Sequence, residues 1–142
     1  MSVLGAHKIA GEHQRAFRIL THAAATATES RAVAYFASDA VDLTGCYFVP
    51  DEAITGDTTN RTNLNLIDAG TAGSGTTEIA HLDYATGTDG VAYDAQALAT
   101  SALTTFTRYT LAAGAVVALE FEKVNTGVKI PAGLIVITYE PR

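Results

Sequence analysis

Short runs of strand-forming residues, each closed by turn residues, occupy most of this 142-residue chain. Residues 62–67 alternate polar and apolar side chains, which is the pattern of a half-buried strand. Val117, Leu119 and Phe121 share one face of a later run. About seven or eight such runs over roughly 110 residues, with no βαβ spacing, predict an all-β fold built as a sandwich or a barrel.

Two runs near the carboxyl end carry particular expectations. Residues 134–139 are apolar on both faces apart from Thr138, so we expect this strand to lie centrally in a sheet or at a subunit contact. Residues 93–103 are ambiguous, because the helix formers in 95–99 compete with a loop interpretation.

The distribution of charge divides the chain in two. Residues 1–31 carry four positive and two negative side chains, whereas residues 32–142 carry five positive and thirteen negative ones. We call residues 1–31 the leader. Its helical periodicity is weak and is interrupted by glycine, so its sequence suits an extended arm at least as well as a helix. We therefore predict an amino-terminal arm, partly extended, over residues 1–29 and a β-sandwich over residues 30–142.

Composition excludes several classes of protein. Apolar residues make up 48% of the chain and charged ones 17%, which argues against a disordered chain. A net charge of −6 disfavours nucleic acids and anionic membranes as partners. No apolar run approaches the ~18 residues of a membrane span, and the mixed charges near the start do not predict a signal peptide. So few charges suit a surface that neighbouring molecules largely cover.

Reactive chemistry is not expected from the cysteine or the glycine-rich loop. Cys46 is the single cysteine, and its neighbours offer no base, so we expect a small buried apolar residue. The loop at residues 70–75 lacks the Lys-Ser/Thr pair of a phosphate-binding loop and predicts a hairpin connection.

The histidines and carboxylates also form no recognisable catalytic or metal set. The three histidines of the leader, His7, His13 and His22, are spaced too irregularly for a zinc site. Asp83, Asp89 and Asp94 bracket a loop that we interpret as solvated and acidic, with a Ca²⁺ site as the alternative.

Two further polar pairs are expected to be structural. His81 and Asp83 share a strand face, so a hydrogen bond between them is expected. Glu120 and Glu122 predict a solvated stripe on the face opposite Phe121. With no nucleophile, metal set or paired catalytic carboxylates, we expect no enzymatic activity and no cofactor.

Three segments, residues 54–66, 111–119 and 126–137, resemble recurring stretches of jelly-roll virion proteins of tailed bacteriophages. The first reads Ile-Thr-Gly-Asp-Thr-Thr-Asn-Arg-Thr-Asn-Leu-Asn-Leu, a turn that feeds a strand of alternating polarity. The second reads Leu-Ala-Ala-Gly-Ala-Val-Val-Ala-Leu, and Ala115 stands where the related pattern usually has an acidic residue. The third has a glycine turn followed by a strand that begins at a proline.

This resemblance implies a jelly-roll-like β-sandwich that acts as a head decoration, or cement, protein. Such a protein binds the outer surface of the capsid as a homotrimer, with the major capsid protein lattice as its partner. The leader supplies the expected capsid contacts, which are Val3, Leu4, His7, Lys8, Arg15, Phe17 and Arg18. Deletion of residues 2–20 is then expected to leave a folded trimer that no longer sediments with heads.

Two alternatives belong to other functional classes. The first is a receptor-binding tip of a phage tail fibre, in which loops 70–75 and 86–90 would recognise a glycan; an aromatic content of 8% without Trp disfavours it. The second is a jelly-roll enzyme of the cupin type, which needs a histidine-rich metal face that His81 alone does not supply.

Overall fold

A computed structural model describes residues 11–23, 30–100 and 106–142, and the elements within them are strands. The all-β prediction is confirmed. The strands are β1 (His13–Ile19), β2 (Ser30–Phe36), β3 (Val41–Pro50), β4 (Thr62–Gly70), β5 (Thr77–Asp83), β6 (Gln96–Ala97), β7 (Tyr109–Leu111), β8 (Val116–Lys123) and β9 (Gly133–Pro141). No helix long and apolar enough to cross a membrane occurs in these ranges.

The strands form two antiparallel sheets. Sheet I has the order β1-β9-β3-β6, and β7 also pairs with β3; sheet II has the order β2-β8-β4-β5. One side of β3 pairs with β9 along its length. The other side pairs with β7 and then with β6, which together act as one interrupted strand. Most connections cross between the sheets, and this strand order is that of a jelly roll, so the predicted jelly-roll-like sandwich is confirmed.

The core lies between the two sheets and follows the alternation of the strands. Leu64 and Leu66 of β4 and Leu119 of β8 are fully buried from sheet II, and Phe48 and Ile135 are fully buried from sheet I. Burial of each such side chain contributes roughly 1.5–3 kcal/mol. The central position expected for residues 134–139 is found, since β9 lies between β1 and β3.

Part of the predicted arm belongs to the sandwich. Seven residues of β1 pair with β9, from His13 opposite Tyr139 to Ile19 opposite Gly133. Ile19 is buried in the core and Phe17 packs against it, so residues 13–19 are a sheet strand rather than an arm or a helix. The remainder of residues 1–29, namely 1–10 and 24–29, lies outside the described residues. Deletion of residues 2–20 would remove β1 and would therefore test folding as well as capsid contact.

The segment at residues 93–100 forms no helix. The Tyr84 hydroxyl donates to the Gln96 side-chain oxygen at 2.7 Å, and the Leu98 N–H donates to the Cys46 carbonyl at 2.9 Å. Ala99 then pairs with His81 of sheet II, which joins the two sheets along this side of the sandwich. Tertiary hydrogen bonds of this kind override the helix propensity of a short alanine-rich segment. Residues 101–103 of the ambiguous segment lie outside the described residues.

Cys46 is expected to resist thiol reagents in the folded protein. Its side chain is fully buried in the core, and burial raises the pKa of the thiol to about 12. Since the thiolate is the reactive species, labelling by a chromogenic disulfide reagent at pH 8 should be at least ~100-fold slower in the native protein than in denaturant. Equal rates in the two conditions would contradict the buried position.

Candidate interaction surfaces

The outward side of sheet I carries an apolar face. Two rows of register partners build it: Ala16, Val136, Tyr47 and Ala97 lie side by side across four strands, and Leu134 and Val49 lie beside Arg18 in the next row. These six residues, Ala16, Tyr47, Val49, Ala97, Leu134 and Val136, are called the apolar face below. The outward side of an antiparallel sheet ordinarily carries polar residues, so an apolar one is a candidate interaction surface.

Ion pairs lie at both ends of the apolar face, so positive and negative side chains alternate around it. Arg18 pairs with Asp51 at one end of the sheet, and Lys129 Nζ lies 2.8 Å from Glu52 Oε2. At the other end Arg108 contacts Asp42 at 3.1 Å and Glu140 at 2.6 Å. Hydrogen bonds from Thr110 and Arg108 hold the pKa of Asp42 below its ordinary value. Exposed pairs such as these contribute little to stability, but they fix which charges a partner would meet.

A strained turn presents two large apolar side chains next to the apolar face. Val91 is 60% exposed and Tyr93 is 80% exposed. Tyr93 has a φ of +64°, a conformation that costs free energy in a residue other than glycine, and its N–H donates to the carbonyl of Pro50 at the end of β3. The turn is therefore held in place by sheet I while its side chains remain in water.

The outward side of sheet II is polar, and it differs from the sequence expectation. Glu120 is only 6% exposed, so the predicted solvated stripe is wrong for this residue. The Asn65 amide donates to Glu120 at 3.3 Å and to Glu122 at 2.9 Å, and the Asn63 amide donates to Glu122 at 3.3 Å. The two asparagines thus provide donors to the buried carboxylate of Glu120 and the partly exposed one of Glu122.

Three buried oxygens of this polar surface, the side-chain Oδ1 atoms of Asn63, Asn65 and Asp83, have no hydrogen-bond partner among the described residues. Asn63 and Asp83 are register partners on neighbouring strands. Each unmade bond of a buried acceptor costs roughly 1–3 kcal/mol, so this part of sheet II has little tolerance for further polar mismatch.

The expected His81–Asp83 hydrogen bond is wrong. His81 Nδ1 lies 2.7 Å from Glu78 Oε1 instead. The register of β5 shifts opposite Leu66 and Ile67, which leaves Ile79 without a partner and brings Glu78 to the side of the sheet that His81 occupies. The resulting pair is a partly exposed contact on sheet II.

The three described residues that were predicted to contact a capsid lie on two sides of β1. Arg15 and Phe17 line a cleft of about 320 Å³ between the open edges β1 and β2, together with Ala16, Ala34, Tyr35, Phe36, Ser38 and Tyr139. Arg18 lies on the opposite side of β1, beside the apolar face. Val3, Leu4, His7 and Lys8 fall outside the described residues, and the capsid role of all seven stays a prediction.

The candidate metal residues lie apart. Asp89 accepts a hydrogen bond from the Gly56 N–H at 2.8 Å, and among the described residues no group of three or more His, Cys, Asp or Glu side chains is placed to hold a metal ion. His13 stacks on Tyr139, whereas His22 stacks on Phe121.

Loop 70–75 closes the β4–β5 hairpin, and neither it nor loop 86–90 contains an aromatic residue for sugar stacking.

His22 is expected to make stability depend on pH near neutrality. Burial, together with the charge of Lys123, lowers the pKa of His22 below 6.5. The unfolded chain therefore binds a proton more readily than the folded one, so stability rises with pH up to about 6.5 and falls as the medium is acidified below it.

Thermal unfolding at pH 7.5 and 5.5 measures this effect. H22Q should show a smaller decrease in Tm between the two conditions than the wild-type protein. H13Q, which removes the imidazole at the other end of β1, should keep the wild-type decrease. An unchanged pH dependence in H22Q would show that another group is responsible.

Comparisons with known proteins give limited similarity. No family model and no curated protein matches the chain. The infectious bursal disease virus VP2 subviral particle is 11% identical, with 99% of this chain and 46% of that chain covered and a TM-score of 0.22. The structure of the infectious bursal disease virus Gx strain is 9% identical, with 99% and 47% covered and a TM-score of 0.20. This chain spans about half the length of those viral chains, and its assignment as a jelly roll rests on its own strand order.

Proposed function

We propose that this chain is a structural virion protein that binds the outside of a phage capsid as a homo-oligomer, a homotrimer by resemblance, and stabilises the shell without enzymatic activity. The observation that carries the proposal is the apolar face: a stiff jelly roll presents an outward sheet surface made of Tyr47, Leu134, Val136 and smaller apolar residues. Such a surface is costly in a free molecule and useful in an assembly.

Stabilisation of a shell follows from mass action. A ligand that binds only the mature lattice lowers the free energy of that lattice, and several linked copies bind more tightly than one. Residues 1–31 carry four positive and two negative side chains, and this net positive charge would complement an acidic capsid exterior and would mainly set orientation and association rate.

One residue proposed for capsid contact also has a packing role, because Phe17 lies against the core. Arg15 and Arg18 are exposed on β1. We propose that these two arginines bind the capsid together with the residues that precede β1, namely Val3, Leu4, His7 and Lys8.

Rebinding to stripped heads tests the function. Heads of the phage that encodes the chain are depleted of it with mild chaotrope and then incubated with the purified full-length protein. We expect the protein to sediment with the heads and to raise the temperature at which they release DNA. A variant lacking residues 2–10, which keeps β1, should remain folded and stay in the supernatant. Full-length protein that neither sediments with the heads nor changes their stability would contradict the proposal.

A further inference from the structure

We propose that the apolar face of sheet I is the surface through which copies of this chain associate. This inference rests on the proposed function, which requires several copies of the chain, and it names the surface at which they meet. The central strand β9 is the clearest indication, because its inward residues Ile135 and Ile137 fill the core while Leu134 and Val136 point outward. A strand that is apolar on both sides needs cover on both sides.

The apolar face has the size of an interface centre. Four strands spaced ~4.8 Å apart, with a central strand of nine residues at ~3.4 Å each, define an outward plane of roughly 500 Å² for the whole of sheet I, and the two rows of the apolar face occupy about half of it. Tyr93 is 80% exposed on the turn that is hydrogen-bonded to Pro50, the residue that follows Val49 of the apolar face. A standard protein interface buries about 800 Å² from each partner, so the apolar face would form its centre and the flanking polar rows its rim.

The charges identify a second copy as the occupant. The ion pairs around the apolar face place Arg18, Arg108 and Lys129 among Asp42, Asp51, Glu52 and Glu140, so positive and negative groups are interspersed. Another copy of this chain, which carries both signs of charge on its own surface, can therefore align opposite charges with this rim. A strongly basic or strongly acidic partner would meet repulsion at about half of these positions.

Sedimentation equilibrium of the full-length protein tests this inference. The wild-type protein at tens of micromolar should have a mass that is a multiple of 14.8 kDa. V136E places a carboxylate at the centre of the apolar face and should weaken association at least tenfold, with circular dichroism unchanged. T77E adds the same charge at an exposed position of β5 in sheet II and should keep the wild-type mass.

The outcomes separate this inference from the proposed function. If V136E does not fold, A16E provides the same test, because Ala16 is exposed on the edge strand β1. A wild-type monomer, or folded V136E and A16E proteins of wild-type mass, would overturn the inference. A third outcome is that V136E abolishes the oligomer while the wild-type oligomer does not bind stripped heads. That result would support the interface and refute the virion role.

Discussion

G56A is expected to lose roughly 3 kcal/mol or more of stability, because the loop that faces Gly56 leaves no room for a Cβ atom. A Cβ built there would lie 2.0 Å from the Ala85 carbonyl oxygen and 2.4 Å from the Thr88 carbonyl oxygen. Both neighbours are backbone atoms, so rotation of a side chain does not relieve the overlap.

Hydrogen bonds prevent this loop from moving aside. The Gly56 N–H donates to Asp89 Oδ1 at 2.8 Å, and the Asp57 N–H donates to the Tyr84 carbonyl at 3.0 Å. The loop is closed on itself by the Thr88 N–H, which donates to the Ala85 carbonyl at 2.8 Å. Relief of the overlap would break at least one of these bonds, and each is worth about 1 kcal/mol.

Thermal or urea unfolding measures the effect. At 2–4 °C per kcal/mol, the expected loss lowers the Tm by about 10 °C. The matched control is T55A, which also introduces alanine but at the exposed neighbouring position. Its free energy of unfolding should stay within about 0.5 kcal/mol of the wild-type value. Wild-type stability in G56A would mean that the loop does not pack against Gly56 as described.

N65D is the second substitution with a large expected effect. Asn65 is 3% exposed, and its amide donates to Glu120 and Glu122. Replacement of the amide by a carboxylate removes both donors and places a third negative charge beside two others. We expect a loss of about 3–5 kcal/mol at pH 7, the cost of an uncompensated buried charge.

The pH dependence of this loss distinguishes charge repulsion from a packing defect. The neighbouring carboxylates would raise the pKa of the introduced Asp in the folded state, so the penalty is present at neutral pH and decreases as that group is protonated. The difference between N65D and the wild-type protein should therefore shrink from pH 7 to about pH 4.5. Q14E, the same amide-to-carboxylate change at an exposed position of β1, should cost less than about 1 kcal/mol at both values. A deficit in N65D that does not change with pH would contradict the electrostatic explanation.

The fold could be predicted from the sequence because local patterns determine most of it. Alternation in residues 62–67 and 117–121, with glycine and asparagine turns between runs, identifies the sandwich, and the apolar run at 134–139 identifies its central strand. Strand β1 was harder to recognise, because an edge strand keeps charged residues such as Arg15 and Arg18 that reduce the contrast between its faces.

The polar surface of sheet II depends on information that local patterns do not contain. The partner of His81 is set by the register shift opposite Leu66 and Ile67, and no turn residue marks it. The burial of Glu120 depends on side chains contributed by β4, which lies more than fifty residues away in the chain. The apolar face could be anticipated from β9 alone, but its extent required the registers of Ala16, Tyr47 and Ala97.

Gold-labelled antibody against the full-length protein, applied to intact purified phage particles and viewed by electron microscopy, shows whether the protein lies on the outside of the head. We expect label distributed over the outer surface of the heads, with no label on tails or on heads stripped by chaotrope. Label confined to the tail tip, or particles that carry none of the protein, would contradict it.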